Sequence, residues 1–133
     1  MKVLKNGTQA SFKGSEKVFT GDVSVDPLFL KPEAPTRVTS AYVTFEPGAR
    51  TAWHTHPAGQ VLVVTSGSGF VQQEGFPKRA VSAGDVVFFP KGVKHWHGAS
   101  ESTPLVHVAI QEVVEGSAVE WMEHVTDKQY KGE

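Results

Sequence analysis

Apolar residues in this chain come in short runs, and several of the runs alternate. Ala41, Val43 and Phe45 share one face of such a run. In a later one Val106, Val108 and Ile110 lie opposite His107, Ala109 and Gln111. A period of two marks strands, and the runs are rich in β-branched and aromatic residues. They span Lys17 to Val25, Arg37 to Glu46, Gln60 to Thr65, Gly69 to Gln73, Asp85 to Phe89 and Pro104 to Val114. Turn signals separate them at Glu46-Pro47-Gly48-Ala49, Ser66-Gly67-Ser68-Gly69, Ser82-Ala83-Gly84-Asp85 and Pro90-Lys91-Gly92. Short strands at this spacing predict an all-β sandwich or barrel. The segment from Asp26 to Pro35 carries three prolines and reads as an irregular crossing loop or an edge segment. Helical character is confined to the end, where Thr126-Asp127-Lys128-Gln129-Tyr130 predicts a short helix capped by Thr126.

The length of 133 residues fits one domain. The pattern divides it into a strand arm at 1–37, a core at about 38–114 and a C-terminal extension at 115–133. There is no cysteine, which excludes disulfides and thiolate metal ligands. The formal charge of −1 carries no electrostatic footprint for nucleic acid. No segment has the apolar length of a membrane span, and Met1 to Gly7 lacks a signal-peptide run. The expectation is a soluble, cytoplasmic protein whose partner is a small molecule, without nucleic-acid or membrane binding.

Against this background four polar residues stand out. His54-Thr55-His56 places two imidazoles on one face of a strand, Gln60 follows, and His95 arrives from a distant glycine- and proline-punctuated segment. Three imidazoles and an amide oxygen suit one divalent first-row metal, with Mn, Fe, Ni, Co and Zn all compatible. Gln60 cancels none of the metal's charge, where a carboxylate would cancel one unit. The set therefore favours Lewis-acid chemistry over redox cycling. Because the ligands must be neutral imidazoles, metal affinity is expected to fall steeply below about pH 6.

The spacing around these residues resembles two cupin motifs. Gly48, five residues, His54-Thr55-His56, three residues, Gln60, six residues and Gly67 resemble the first. Gly84, five residues, Pro90-Lys91-Gly92, two residues and His95 resemble the second, with Ala99 where asparagine often stands. Further stretches extend the likeness: Asp26 to Phe29, Phe45 to Pro57, Lys94 to Ala99 and Trp121 to Asp127. They resemble the small bacterial cupins that include the manganese-dependent hydroxynitrile lyases, which also carry glutamine at the position of Gln60. The resemblance implies a single-domain cupin, a double-stranded β-helix or jelly-roll barrel. It also implies manganese on His54, His56, Gln60 and His95, and a homo-oligomer, dimer or tetramer.

Alternation nominates the residues around the metal. His97 shares a face with His95 if one strand holds both. His107 and Gln111 share a face that could be solvent or cavity; the resemblance implies cavity, because that strand supplies an active-site histidine in the similar lyases. Ala41, Val43 and Leu62 are candidate pocket walls, with core filling an equal reading, and Val64 shares the face of Leu62. Arg50 and Thr51 could reach the cavity mouth, Thr51 being the better candidate for a substrate hydrogen bond. Trp53, Trp96 and Trp121 read as core or interface aromatics, and His124 as solvated. The leading expectation is a metal-dependent lyase, most specifically a hydroxynitrile lyase, with His97 or His107 as the base. An Mn- or Fe-dependent cupin oxygenase and a non-catalytic metal or small-molecule binder are the alternatives. The aliphatic faces of Val61 and Val63, and of Val106, Val108 and Ile110, point to the homo-oligomer.

Overall fold

A computed structural model describes residues 1–133. Twelve strands and one short helix follow in order. They are β1 (Phe12–Lys13), β2 (Phe19–Thr20), β3 (Val23–Phe29), β4 (Val38–Phe45), β5 (Arg50–Thr51), β6 (His54–Thr55) and β7 (Gln60–Gln73). Then come β8 (Arg79–Ser82), β9 (Val86–Phe89), β10 (His95–Ala99), β11 (Leu105–Glu112), β12 (Glu120–Trp121) and α1 (Asp127–Lys131). All pairings are antiparallel, and the main path runs β1-β3-β4-β11-β7-β10-β5-β2, a curled sheet that encloses the site. No helix is long and apolar enough to cross a membrane.

The alternation places its apolar positions inside. Ala41, Val43 and Phe45 of β4 are buried with Leu62 and Val64 of β7 and Leu105 and Ala109 of β11 in one core cluster. A second cluster joins Trp53 and Trp96 to Val125 and Tyr130, so the C-terminal extension packs on the outside of β10. The helix forms as expected: Thr126 accepts from the Gln129 backbone N–H, and the Gln129 side chain accepts from the Thr126 N–H.

Three local expectations are corrected. Ser66-Gly67-Ser68-Gly69 is no turn, because β7 runs unbroken from Gln60 to Gln73. Gly67 adopts a positive φ of 77°, and the β11 pairing shifts register between Val106 and His107. A Cβ on Gly67 would strike the Pro104 carbonyl, and one on Gly69 the Gly98 carbonyl. The glycines thus let one strand bend from the β9–β11 side of the barrel to the β8–β10 side. Second, the segment from Asp26 is not irregular from its start. Asp26 to Phe29 continues β3 as an edge strand paired with β4 alone, with a register shift between Pro27 and Phe29, and the irregular stretch begins at Leu30. Third, Lys17 to Val25 is two strands, broken at Gly21, whose φ is 82°.

Candidate metal centre and cavity

Neighbouring strands deliver His54, His95, His97 and His107 to one end of the barrel interior. His56 joins them from just past the end of β6, which holds only His54 and Thr55 and not the whole His54-Thr55-His56 run. His54 and His95 face each other in the β6–β10 pairing, and Gln60 and Gln111 in the β7–β11 pairing. His97 lies two residues past His95 on the same face of β10, and His107 comes from β11. All five imidazoles and Gln60 are buried. Ring centroids are separated by 4.2 Å for His54–His95, 5.0 Å for His54–His56 and 5.5 Å for His56–His95.

Backbone carbonyls set the tautomers. His54 Nδ1 lies 2.9 Å from the Ala52 oxygen, His56 Nδ1 2.7 Å from Ala118, and His95 Nδ1 2.8 Å from Val93. A carbonyl only accepts, so each Nδ1 is the donor and each Nε2 carries a lone pair. Gln60 is oriented the same way. The Gln111 amide donates to Thr39 Oγ1 at 2.8 Å, and Gln60 Nε2 donates to Gln111 Oε1 at 3.1 Å. The Gln60 oxygen is thereby turned toward His95 Nε2, 3.2 Å away. Two acceptors face each other there, while His56 Nε2 is buried with no partner at all. Buried lone pairs converging without a donor are costly unless a cation lies among them. The residues present fit a divalent metal.

His97 belongs to the same constellation: one nitrogen each from His54, His95 and His97 lie within 4.8 Å of one another. Two overlapping donor sets therefore exist. Both contain His54 and His95; His56 with Gln60 completes one, and His97 the other. His97 Nδ1 also lies 3.0 Å from His107 Nε2, leaving His97 Nε2 and His107 Nδ1 buried and unpartnered. The pair shares one hydrogen bond, and either ring can be its donor.

Burial, reinforced by the neighbouring imidazoles, holds His54 and His97 well below the ordinary histidine range. Burial lowers His56 as well, takes His95 down to about 3 and His107 down to about 4. All five are neutral at neutral pH, the state that both metal binding and proton acceptance require. This revises the acid sensitivity expected from free imidazoles. Proton competition inside the folded site sets in below pH 6, and folding feels the acid first. Between the unfolded value of about 6.5 and these lowered values, the unfolded chain binds more protons, so stability is full above about pH 6.5 and declines as pH falls. His95 and His107, lowered to about 3 and about 4, each cost about 2 kcal/mol between pH 6.5 and 5, and the other three act in the same direction. Melting of the metal-free protein is expected at a clearly lower temperature at pH 5 than at pH 7.5; equal melting temperatures would contradict buried neutral imidazoles.

A cavity of about 400 Å³ opens over this cluster, a size suited to a small-molecule ligand. Ala41, Val43, Thr51, Gln111, His97 and His107 line it, whereas Leu62 does not and is sealed in the core. Thr51 Oγ1 accepts from the His97 backbone N–H at 3.2 Å. Arg50 points the other way: its Nη2 donates to the Val125 carbonyl and to Asp127, each at 2.8 Å. No Asp, Glu, Lys or Arg lines the cavity.

Three contributors had no sequence signal. Phe89 stacks on His95 with centroids 3.6 Å apart, and Ala118 acts through its carbonyl on His56. Trp121 is not a core aromatic; it stands at the cavity rim against His54, 4.7 Å between centroids. Trp53 and Trp96 are core residues, and His124 is exposed.

Residues 41–111 match the cupin-domain family model. The chain is 56% identical to an (R)-mandelonitrile lyase of Granulicella tundricola over 131 residues, covering 98% of this chain and 99% of the relative. A cupin-like protein from Thermotoga maritima superposes with a TM-score of 0.86 at 42% identity, covering 99% of this chain and 96% of that one. The dimethylsulfoniopropionate lyase of Ruegeria pomeroyi is similar in fold, with a TM-score of 0.64 at 21% identity and coverage of 91% of this chain and 59% of that one. With both motifs on facing strands and their histidines converging inside the barrel, this chain belongs to the cupin family.

Proposed function

We propose that this cupin is a manganese-dependent lyase that cleaves and forms cyanohydrins, the neutral adducts of hydrogen cyanide and an aldehyde. The observation that carries the reading is the buried, neutral His97–His107 pair beside a donor set with no carboxylate, in a cavity with no charged lining. Held by His54, His56, Gln60 and His95, a divalent metal supplies Lewis-acid stabilisation of negative charge on oxygen with its full charge available. Manganese is assigned on the likeness of the motifs to the manganese-dependent lyases, and near-complete alignment with a mandelonitrile lyase supports the substrate class.

The chain's own residues manage the proton. His97 accepts the substrate's hydroxyl proton at its unpartnered Nε2, and His107, hydrogen-bonded to the other nitrogen, shares the resulting charge. As the bond between the carbinol carbon and the nitrile carbon breaks, the pair returns the proton to cyanide. The O–H and C–C bonds are lost, the C=O and H–C bonds of aldehyde and hydrogen cyanide are gained, and no oxidant or reductant is needed. Thr51 offers a hydroxyl to orient the substrate, while Ala41 and Val43 hold its hydrocarbon part. Incubation of the metal-loaded protein with mandelonitrile is expected to release benzaldehyde well above the buffer rate without consuming oxygen. No excess release, or oxygen uptake in step with turnover, would refute the lyase reading.

The partners proposed are this small substrate and further copies of the chain, in the cytoplasm, in keeping with a chain that has no cysteine. The outer face of the sheet supports self-association. Register sets Val108 beside Val63 and Ile110 beside Val61, and β9 extends the patch with Val86 and Phe88, 65% and 64% exposed. Light scattering after size exclusion is expected to report an oligomer for the native protein and a monomer for Ile110→Lys. A monomeric native protein would contradict this assembly.

A further inference from the structure

We propose that the N-terminal arm and the C-terminal extension form an aromatic collar in which Trp121 and Phe19 select an aryl-sized, uncharged hydrocarbon group on the substrate. The inference rests on the lyase reading for the reaction and adds the residues that set substrate preference. The inner half of the cavity is built by the barrel, whereas Phe12, Phe19, Val119 and Trp121 complete its outer half from segments beyond residues 41–111. The matched cupin domain thus supplies the histidines, and the flanking segments supply an apolar mouth.

The collar is one contiguous surface. Trp121 sits opposite His54 in the β6–β12 pairing, and its ring meets that of Phe19 at 5.8 Å. Phe19 in turn contacts Phe45 on the cavity wall at 6.2 Å. Trp121 remains 38% exposed, so an aryl group entering the mouth would cover aromatic surface left open by the fold. A charged substituent there would lose water and meet no counterion. The extension is pinned at a distance from the cavity. Arg50 donates to the Val125 carbonyl from its Nε at 3.3 Å and its Nη2 at 2.8 Å, and Tyr130 Oη donates to the Ala99 carbonyl at 2.5 Å. The collar is therefore preorganised and needs no closure to act.

The test compares kcat/KM for mandelonitrile and lactonitrile, which differ by phenyl against methyl, in native protein, Phe19→Ala, Trp121→Ala and Trp121→Phe, with metal content measured for each. In both alanine variants the mandelonitrile-to-lactonitrile ratio is expected to fall about ten-fold, mainly through KM, with Trp121→Phe between them and the native protein. An unchanged ratio, or an equal fall for both nitriles, would overturn the collar, since a merely structural role would affect both alike. If the native protein cleaves neither nitrile, the lyase reading fails, and calorimetric titration with benzyl alcohol tests the collar by itself. Weaker binding in Trp121→Ala then supports it, and equal binding overturns it.

Discussion

Replacing His54 by alanine is expected to abolish metal binding and turnover together. His54 is common to both donor sets that the barrel interior offers, and its ring lies within 5.2 Å of those of His56, His95 and His97. Its Nδ1 is committed to the Ala52 carbonyl, so the remaining nitrogen is already aimed inward, with no reorganisation left to make on binding. Losing a ligand should exceed the 10- to 100-fold effect typical of losing only a ligand's supporting hydrogen bond, so affinity should fall by more than about 100-fold. Elemental analysis after size exclusion, beside a melting curve, checks this. Full metal content in a folded His54→Ala protein would place the metal elsewhere.

His97→Ala is expected to separate the two roles that the geometry allows that residue. If His54, His56, Gln60 and His95 hold the metal, the variant keeps it and loses about 10²- to 10⁴-fold in kcat, the usual worth of a positioned acid–base group. His107→Ala should fall in the same direction, because it strips His97 of the partner 3.0 Å away that shares its charge. Loss of metal from His97→Ala in proportion to loss of rate would instead assign His97 to the ligand set. Metal content and single-turnover rate, measured on the same samples, discriminate between these outcomes.

Much of this site was legible as spacing. His54, His56, Gln60 and His95 are near neighbours along two motifs, and alternation along β10 and β11 puts His97 and His107 on the inward face. Alternation identifies a face, however, and not a depth along the barrel. Leu62 shares the inward face with Gln60 yet lies in the core, while Ala109, its pairing partner, reaches the cavity. The same limit explains Arg50, whose neighbour Thr51 faces in while it faces out to the C-terminal extension. Gly67 and Gly69 carry the signal of a turn because glycine marks both turns and close approaches of backbones. Only the position of Pro104 and Gly98 across the sheet shows which applies. Trp121 and the Ala118 carbonyl contribute through contacts made after the chain has crossed the barrel, some 60 residues from their partners His54 and His56, and local pattern carries no trace of such contacts.

The most direct measurement is mandelonitrile cleavage as a function of metal occupancy: the protein is stripped with a chelator, manganese is titrated back, and benzaldehyde release is followed at each step. The rate is expected to be near the buffer level in the stripped protein and to rise linearly to one manganese per chain. A stripped protein that cleaves mandelonitrile as fast as the reconstituted one would contradict a metal-dependent lyase.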